Sequence, residues 1–260
     1  MKKNLCFIIF LVLAAFVLSG CGSLNAVDVT KCEKLETFNV SGCEALETVN
    51  VKGSKTLKTL GVTGCKALKE LDVSDCPNLE ELNCGECGIE NLTAEQCLSL
   101  ESMDIHGNSL TYFDAYETTF PKLLHLACGG QTRGGLEAVH SGGAYTLNLS
   151  SYVGEAEESG AAAIASLSGI DAASVKGIDA DGNPMTPTYD ASAGTAGFTS
   201  EPKEVKYDYN TGHGDDKMDV ALTVGNVEEK TGGNSPSSGC DGGFGLLALA
   251  VVPMIMKRRS

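Results

Sequence analysis

The chain of 260 residues carries 34 acidic against 19 basic side chains, a formal net charge of −15, with no tryptophan and only 6% aromatic residues. Without the five basic residues near its two ends, 14 Lys and Arg face the 34 carboxylates, a net of −20. Such a chain repels nucleic acid and anionic surfaces and favours cationic or neutral partners. So few aromatics argue against an aromatic sugar-stacking platform.

Lys2 and Lys3 precede an apolar run over residues 5–18, which leads into Leu18-Ser19-Gly20-Cys21. A basic start, an apolar run and a short exit mark a targeting segment, residues 1–20, rather than part of the fold. An ordinary signal-peptidase site fits poorly, because Leu18 stands three before Cys21, where a small residue is preferred. The four residues resemble the lipobox of bacterial lipoproteins. That resemblance implies cleavage before Cys21 and lipid on this cysteine. With Gly22 in place of aspartate, it also implies no retention at the inner membrane of a diderm cell. A cysteine that merely follows a signal peptide is the alternative.

A unit of about eleven residues, Leu-x-x-Leu-x-Val-x-x-Cys, then repeats over residues 21–141. It opens at Leu24, Leu35, Leu46, Leu57, Leu68, Leu79, Ile89, Leu100, Leu110, Leu123 and Leu136. Its second and third apolar positions are two apart, as in Phe38 and Val40, so they face one side of a strand while offsets two, four and six face solvent. Turn pairs such as Ser41-Gly42 and Thr63-Gly64 follow each strand. An amphipathic helix is a poor reading, since Gly, Ser, Thr, Asn or Asp recurs in every unit and valine dominates the strand slot.

The pattern resembles leucine-rich repeats, most closely the bacterial variety with a nested half-repeat. The resemblance implies a mainly β leucine-rich repeat solenoid with short strands, few or no helices, and two units per coil of 21 or 22 residues. Five and a half such coils exceed the minimum of about three for a self-supporting stack. Stacked coils usually form a binding surface rather than a catalytic pocket.

Six cysteines, Cys32, Cys43, Cys65, Cys76, Cys87 and Cys97, fall eight residues after a unit start, a slot that Ser54, Asn108 and Thr118 fill elsewhere. They read as a ladder of corner positions holding buried free thiols, with pairing along the ladder as the alternative. Cys84 and Cys87 mimic a metal knuckle but occupy different slots, so no metal or other cofactor is expected. Outward strand residues divide into an odd-unit and an even-unit face. The odd face, with Glu70, Asp72, Asn91, Glu95, Tyr112, Asp114 and Tyr116, is the expected binding face because tyrosine is enriched at interfaces. The bland reading is a solvated strand surface.

Residues 142–226 offer short strand candidates separated by Gly, Pro, Asn and Asp, which suggests a small β-sandwich. The segments at 145–149 and 205–210 resemble the Ig-like modules that follow leucine-rich repeats in surface proteins of anaerobic bacteria. Asp179-Ala180-Asp181-Gly182-Asn183 starts like a calcium loop but lacks the closing glutamate, and reads as a hairpin turn. Residues 227–238 read as a flexible linker.

Residues 239–260 combine Gly239-Cys240, an apolar stretch over 246–256 and Lys257-Arg258-Arg259. The stretch is shorter than the roughly twenty residues of a spanning helix. The arrangement resembles a Synergist-type C-terminal sorting domain, which implies processing at Gly239 and Cys240 by a sorting protease. No catalytic motif appears among the four histidines, and no phosphate loop or Gly-x-Ser-x-Gly. The expected function is a binding or adhesion protein for protein or glycan. It would sit at the cell surface, anchored through lipid, the tail or both, in the outer membrane of a diderm bacterium. A structural spacer is the alternative, and a calcium-binding module or hydrolase a third reading.

Overall fold

The computed structural model describes residues 15–116, 118–151 and 167–230. Within them, strands of three residues recur at unit spacing. On one side lie β1 (Ala15–Val17), β3 (Thr37–Asn39), β5 (Thr59–Gly61), β7 (Glu81–Asn83), β9 (Ser102–Asp104) and β10 (His125–Ala127). They pair in parallel, in that order, as one six-stranded sheet. On the other side β2 (Ala26–Asp28) pairs with β4 (Thr48–Asn50), and β6 (Glu70–Asp72) with β8 (Asn91–Thr93). Thr37 lies opposite Thr59 and Thr59 opposite Glu81, so each strand meets the strand two units on. Two units therefore make one coil of a β-solenoid of about five turns, as the sequence pattern implied.

The core follows from this stacking. Phe38, Leu60, Leu82 and Met103 form one column and Val40, Val62, Cys84 and Ile105 the next, all buried. Each leucine-sized side chain removed from water contributes about 1.5–3 kcal/mol, and only against its neighbours in the stack.

Most corners turn on a residue with left-handed backbone. Gly42 (φ 75°), Gly64 (74°), Glu86 (52°) and Gly107 (63°) line one corner; Gly53 (75°), Asp75 (61°) and Gln96 (61°) line the other. The next residue is the cysteine slot, and its side chain points back into the stack. Cys65 Sγ lies 3.4 Å from the Val40 carbonyl oxygen, Cys76 Sγ 3.3 Å from Val51, Cys87 Sγ 3.1 Å from Val62 and Cys97 Sγ 3.1 Å from Val73. Asn108 Nδ2 donates to the Cys84 carbonyl at 2.9 Å in the same way. The slot therefore supplies a donor to a carbonyl of the preceding coil that the corner would otherwise leave buried and unpaired. All nine cysteines among the described residues are free thiols. Burial pushes Cys65 and Cys97 up to about 12, which keeps them protonated as donors.

The structure departs from the expected boundaries at both ends of the second module. The unit opened by Leu136 is not a coil. Gln131 fills the last corner slot, with Nε2 2.8 Å from the Ile105 carbonyl. From it the chain runs out as β11 (Gln131–Ser141), which pairs in parallel with β18 (Lys217–Glu229) and antiparallel with β12 (Ala144–Asn148). Residues 227–229, expected in the linker, belong to β18, where Val227 pairs with Ala138.

The remaining strands are β13 (Lys176–Ile178), β14 (Pro184–Met185), β15 (Thr188–Asp190), β16 (Thr195–Phe198) and β17 (Glu204–Asn210). All eight form one sheet in the order β14-β13-β17-β18-β11-β12-β16-β15, rather than two separately hydrogen-bonded ones. The sheet curls onto itself: a Cβ on Gly177 of β13 would lie 2.5 Å from the Phe198 ring of β16. The Asp179–Asn183 segment is the turn between β13 and β14. Asp179 Oδ1 accepts the N–H of Asp181 at 2.9 Å and of Asn183 at 2.8 Å, which closes an Asx turn.

Candidate binding faces of the solenoid

Glu70, Asp72, Asn91 and Glu95 lie together on the odd face. Glu70 and Asn91 pair across β6 and β8, and both are exposed. Asp72 receives the Lys52 ammonium at 2.8 Å and the Ser74 N–H at 2.9 Å. Burial pulls its carboxyl upward, but these partners outweigh that and hold it below the usual carboxylate range. Glu95 is exposed, and its N–H donates to Ser74 Oγ at 3.2 Å.

The other three expected binding residues do not join them. Tyr209 of β17 donates its hydroxyl to Asp114 Oδ1 at 2.8 Å, and its ring lies 6.3 Å from that of Tyr112. The Ala115 N–H donates to the Thr211 carbonyl at 2.7 Å, and Tyr207 Oη donates to the Thr111 carbonyl at 2.8 Å. Tyr116 is 44% exposed, with its ring directly over the Gly212 backbone. Among its described residues the unit opened by Leu110 forms no strand, and β17 and the following loop occupy its outer side. Tyr112, Asp114 and Tyr116 thus form the seam between solenoid and second module.

The even face carries the uninterrupted six-stranded sheet. Asn39 folds over Gly61, where a Cβ would lie 2.8 Å from Asn39 Nδ2. Asn39 Oδ1 accepts the Ser41 N–H at 2.9 Å, and Asp104 Oδ1 the His106 N–H at 3.2 Å, so the last strand residue also shapes the turn. The His106 ring lies on Gly85, with Nδ1 2.5 Å from Asp104 Oδ1 and Nε2 3.6 Å from Glu86 Oε1. The bond to Asp104, more than the Glu86 carboxylate, raises its pKa.

At the end of this face a groove of about 450 Å³ runs between β9, β10 and the second module, lined by Asn83, Ser102, Asp104, Leu124, His125 and Asp216 among others. Leu124 is 68% exposed. The loop bearing Asp216 is fixed by His213, whose Nδ1 lies 2.8 Å from Asp216 Oδ2 and whose Nε2 lies 3.1 Å from the Leu123 carbonyl. Sequence reasoning missed this groove because Asp216 sits in another module. The one local signal was Leu124, an apolar residue beside the unit's opening leucine.

A second groove of about 600 Å³ crosses the second module near Lys176, Met185, Lys206 and Asp219. Among the described residues no three His, Cys, Asp or Glu side chains group as a metal site, and no helix is long and apolar enough to cross a membrane. Cys21 stands half-buried at the first corner, its N–H 3.3 Å from Cys43 Sγ. Gly239 and Cys240 lie outside the described residues.

No protein-family model and no curated protein matches the chain. Three solved structures from Listeria monocytogenes are similar to it. The functional domain of InlJ, described as including a cysteine ladder, is 18% identical over 81% of this chain, with a TM-score of 0.51. InlP is 12% identical over 83% of this chain and 70% of its own, with a TM-score of 0.39. The internalin-like protein lmo2027 is 14% identical over 80% of this chain and 79% of its own, with a TM-score of 0.33. This chain spans 43% of the InlJ structure. The first likeness concerns the fold: the chain is mainly β and shares the leucine-rich-repeat solenoid of that structure.

Proposed function

We propose that the chain is an exported binding protein, held at the cell surface, whose solenoid engages a protein or glycan through the even face. The observation that carries this reading is the unbroken sheet of β3, β5, β7, β9 and β10, which ends in the groove at Asp104, His125 and Asp216. The odd face is the weaker choice, since its aromatic residues are spent on the seam. Glu81, Asp104 and Asp216 suit a partner that presents cationic and apolar groups, with Leu124 as the apolar contact. Anchorage is through lipid on Cys21, through the tail processed at Gly239 and Cys240 by a sorting protease, or both, in the outer membrane of a diderm bacterium. Where the tail is the anchor, we assign the second module, which follows the repeats in Ig-like fashion, the role of holding the solenoid away from it.

The test is binding of the purified protein to host matrix proteins, glycans and co-resident cells. Asp104→Lys and Leu124→Asp should each weaken binding roughly tenfold or more, as central contacts do. Glu70→Lys on the odd face should leave it unchanged. Loss of binding with Glu70→Lys alone would move the site to the odd face. No binding to any of these surfaces would favour a structural spacer.

A further inference from the structure

Residues 13–21 read Leu-Ala-Ala-Phe-Val-Leu-Ser-Gly-Cys. They satisfy the repeat formula: a leucine, an apolar residue three on, another two further, and a cysteine eight after the start. In sequence the regular repeat is read from Leu24, with residues 13–20 in the targeting segment and Cys21 as its lipid-bearing exit. In the structure β1 joins β3 at the same 22-residue offset that joins β3 to β5 and β5 to β7, with Phe16 opposite Phe38 and their rings stacked at 5.8 Å.

The register continues past the strand. The Leu18 N–H donates to the Asn39 carbonyl at 2.8 Å and the Gly20 N–H to Ser41 at 3.0 Å, as Val40 and Gly42 donate to Gly61 and Thr63 at 2.8 Å. Gly20 has φ 68°, beside 75° at Gly42 and 74° at Gly64. Cys43 Sγ lies 3.6 Å from the Leu18 carbonyl, the bond that Cys65 makes to Val40 one coil on. The Leu24 N–H donates to the Cys21 carbonyl at 3.3 Å, as Leu46 does to Cys43 at 2.9 Å.

We infer that residues 15–21 continue the repeat as a further unit, whose strand caps the open edge of the other five strands of that sheet in the unprocessed chain and ties the Gly20–Cys21 bond into a folded corner once the first coils have formed. A consequence rests on the lipoprotein reading above. Hydrolysis of that bond consumes one water and leaves a carboxylate on Gly20 and an amine on Cys21, and the protease needs the bond free of the sheet. Processing therefore comes before the first coils close. It removes β1, bares Phe38 and frees the carbonyls of Asn39 and Ser41 at the sheet edge. The apolar run that a membrane would take up and the strand that the solenoid takes up overlap at residues 15–18, so the two compete for the nascent chain.

The test uses the full chain made in a cell-free system without membranes, so that residues 1–20 are retained. Hydrogen exchange at the Leu18 and Gly20 amides should be slowed roughly 100-fold or more relative to the unfolded chain, as for hydrogen-bonded sheet amides. Phe16→Asp should abolish that protection while the Val62 and Cys84 amides stay protected. Val17→Asp, at a position 65% exposed, should leave it intact. Free exchange at Leu18 and Gly20 beside protected Val62 and Cys84 overturns the cap. In a second arm, membranes containing a lipoprotein-processing protease are added during or after synthesis. Cleavage after folding should be about tenfold slower or more, because it then depends on rare opening, and Phe16→Asp should restore it. Equal rates overturn the holding of the bond in the folded corner. Cleavage under neither schedule overturns the lipoprotein reading, and hydrogen exchange alone then decides the cap.

Discussion

Asn108 and the cysteines stacked with it meet the same need with different atoms. Asn108 is 2% exposed, its Nδ2 donates to the carbonyls of Cys84 and Ile105 at 2.9 Å, and its Oδ1 accepts the Ile89 N–H at 3.1 Å. Truncation to alanine leaves such groups buried without these partners, at a cost of about 1–3 kcal/mol. We expect Asn108→Ala to lower the unfolding free energy by about 2–3 kcal/mol and Asn108→Cys by roughly half as much, because a thiol keeps one weak donor in the slot. Urea midpoints at unchanged m-value measure both, and equal losses would deny the slot its donor role. Thiol reactivity gives a second check, since only the thiolate attacks alkylating reagents. Burial pushes Cys65 and Cys97 up to about 12 and Cys84 well above the usual thiol range. At mildly alkaline pH these three should stay unlabelled by iodoacetamide in the folded protein and label in urea, as mass spectrometry of the peptides would show.

Among the elements, the short strands were legible because nine of the eleven units repeat the same in-out pattern as a strand, and so many copies average out local noise. The cap at β1 was not, because an apolar run before a cysteine fits a targeting segment equally well. The seam was hidden for another reason. Tyr112, Asp114 and Tyr116 look like exposed strand positions until β17, almost a hundred residues later, covers them, and no local pattern carries a contact of that range. Most of the second module's strands were legible but not β14, nor their joining, since β11 appears in sequence as one more repeat unit.

The seam itself can be weighed. Tyr209→Phe removes the hydrogen bond to Asp114 and should cost about 1 kcal/mol, with the rings still packed. Gly212→Ala is the harsher change. Gly212 has φ 78°, and an added Cβ would run into the Tyr116 ring. A loss of about 2 kcal/mol or more is expected, together with increased proteolysis near residue 212. Stability unchanged by Gly212→Ala would mean that Tyr116 does not rest on this loop.

Over the whole molecule, solenoid and second module share side chains and backbone rather than a tether. Gln131 is at once the last corner donor and the first residue of β11. His213 ties the second module's loop back to the last coil. Its two ring nitrogens face the Asp216 carboxylate and the Leu123 carbonyl, both acceptors, so only the protonated ring satisfies both. These partners, Asp216 first, raise its pKa above the ordinary 6.5. A group whose pKa is raised on folding contributes stability that is fully present below its unfolded value and is lost as pH climbs through its folded value. The sheet order and the shared residues make one cooperative transition the expected outcome, with buried Tyr207 and Tyr209 reporting on the second module and far-ultraviolet dichroism on the whole. Comparing the protein with His213→Gln isolates the seam from the general self-repulsion of an acidic chain. The gap in urea midpoint should be largest near about pH 6 and shrink toward about pH 9. With Asp216 45% exposed, solvent screening limits the effect to about 1 kcal/mol or less. A gap that stays constant, or widens with pH, would mean that the loop is held by its backbone rather than by the imidazolium.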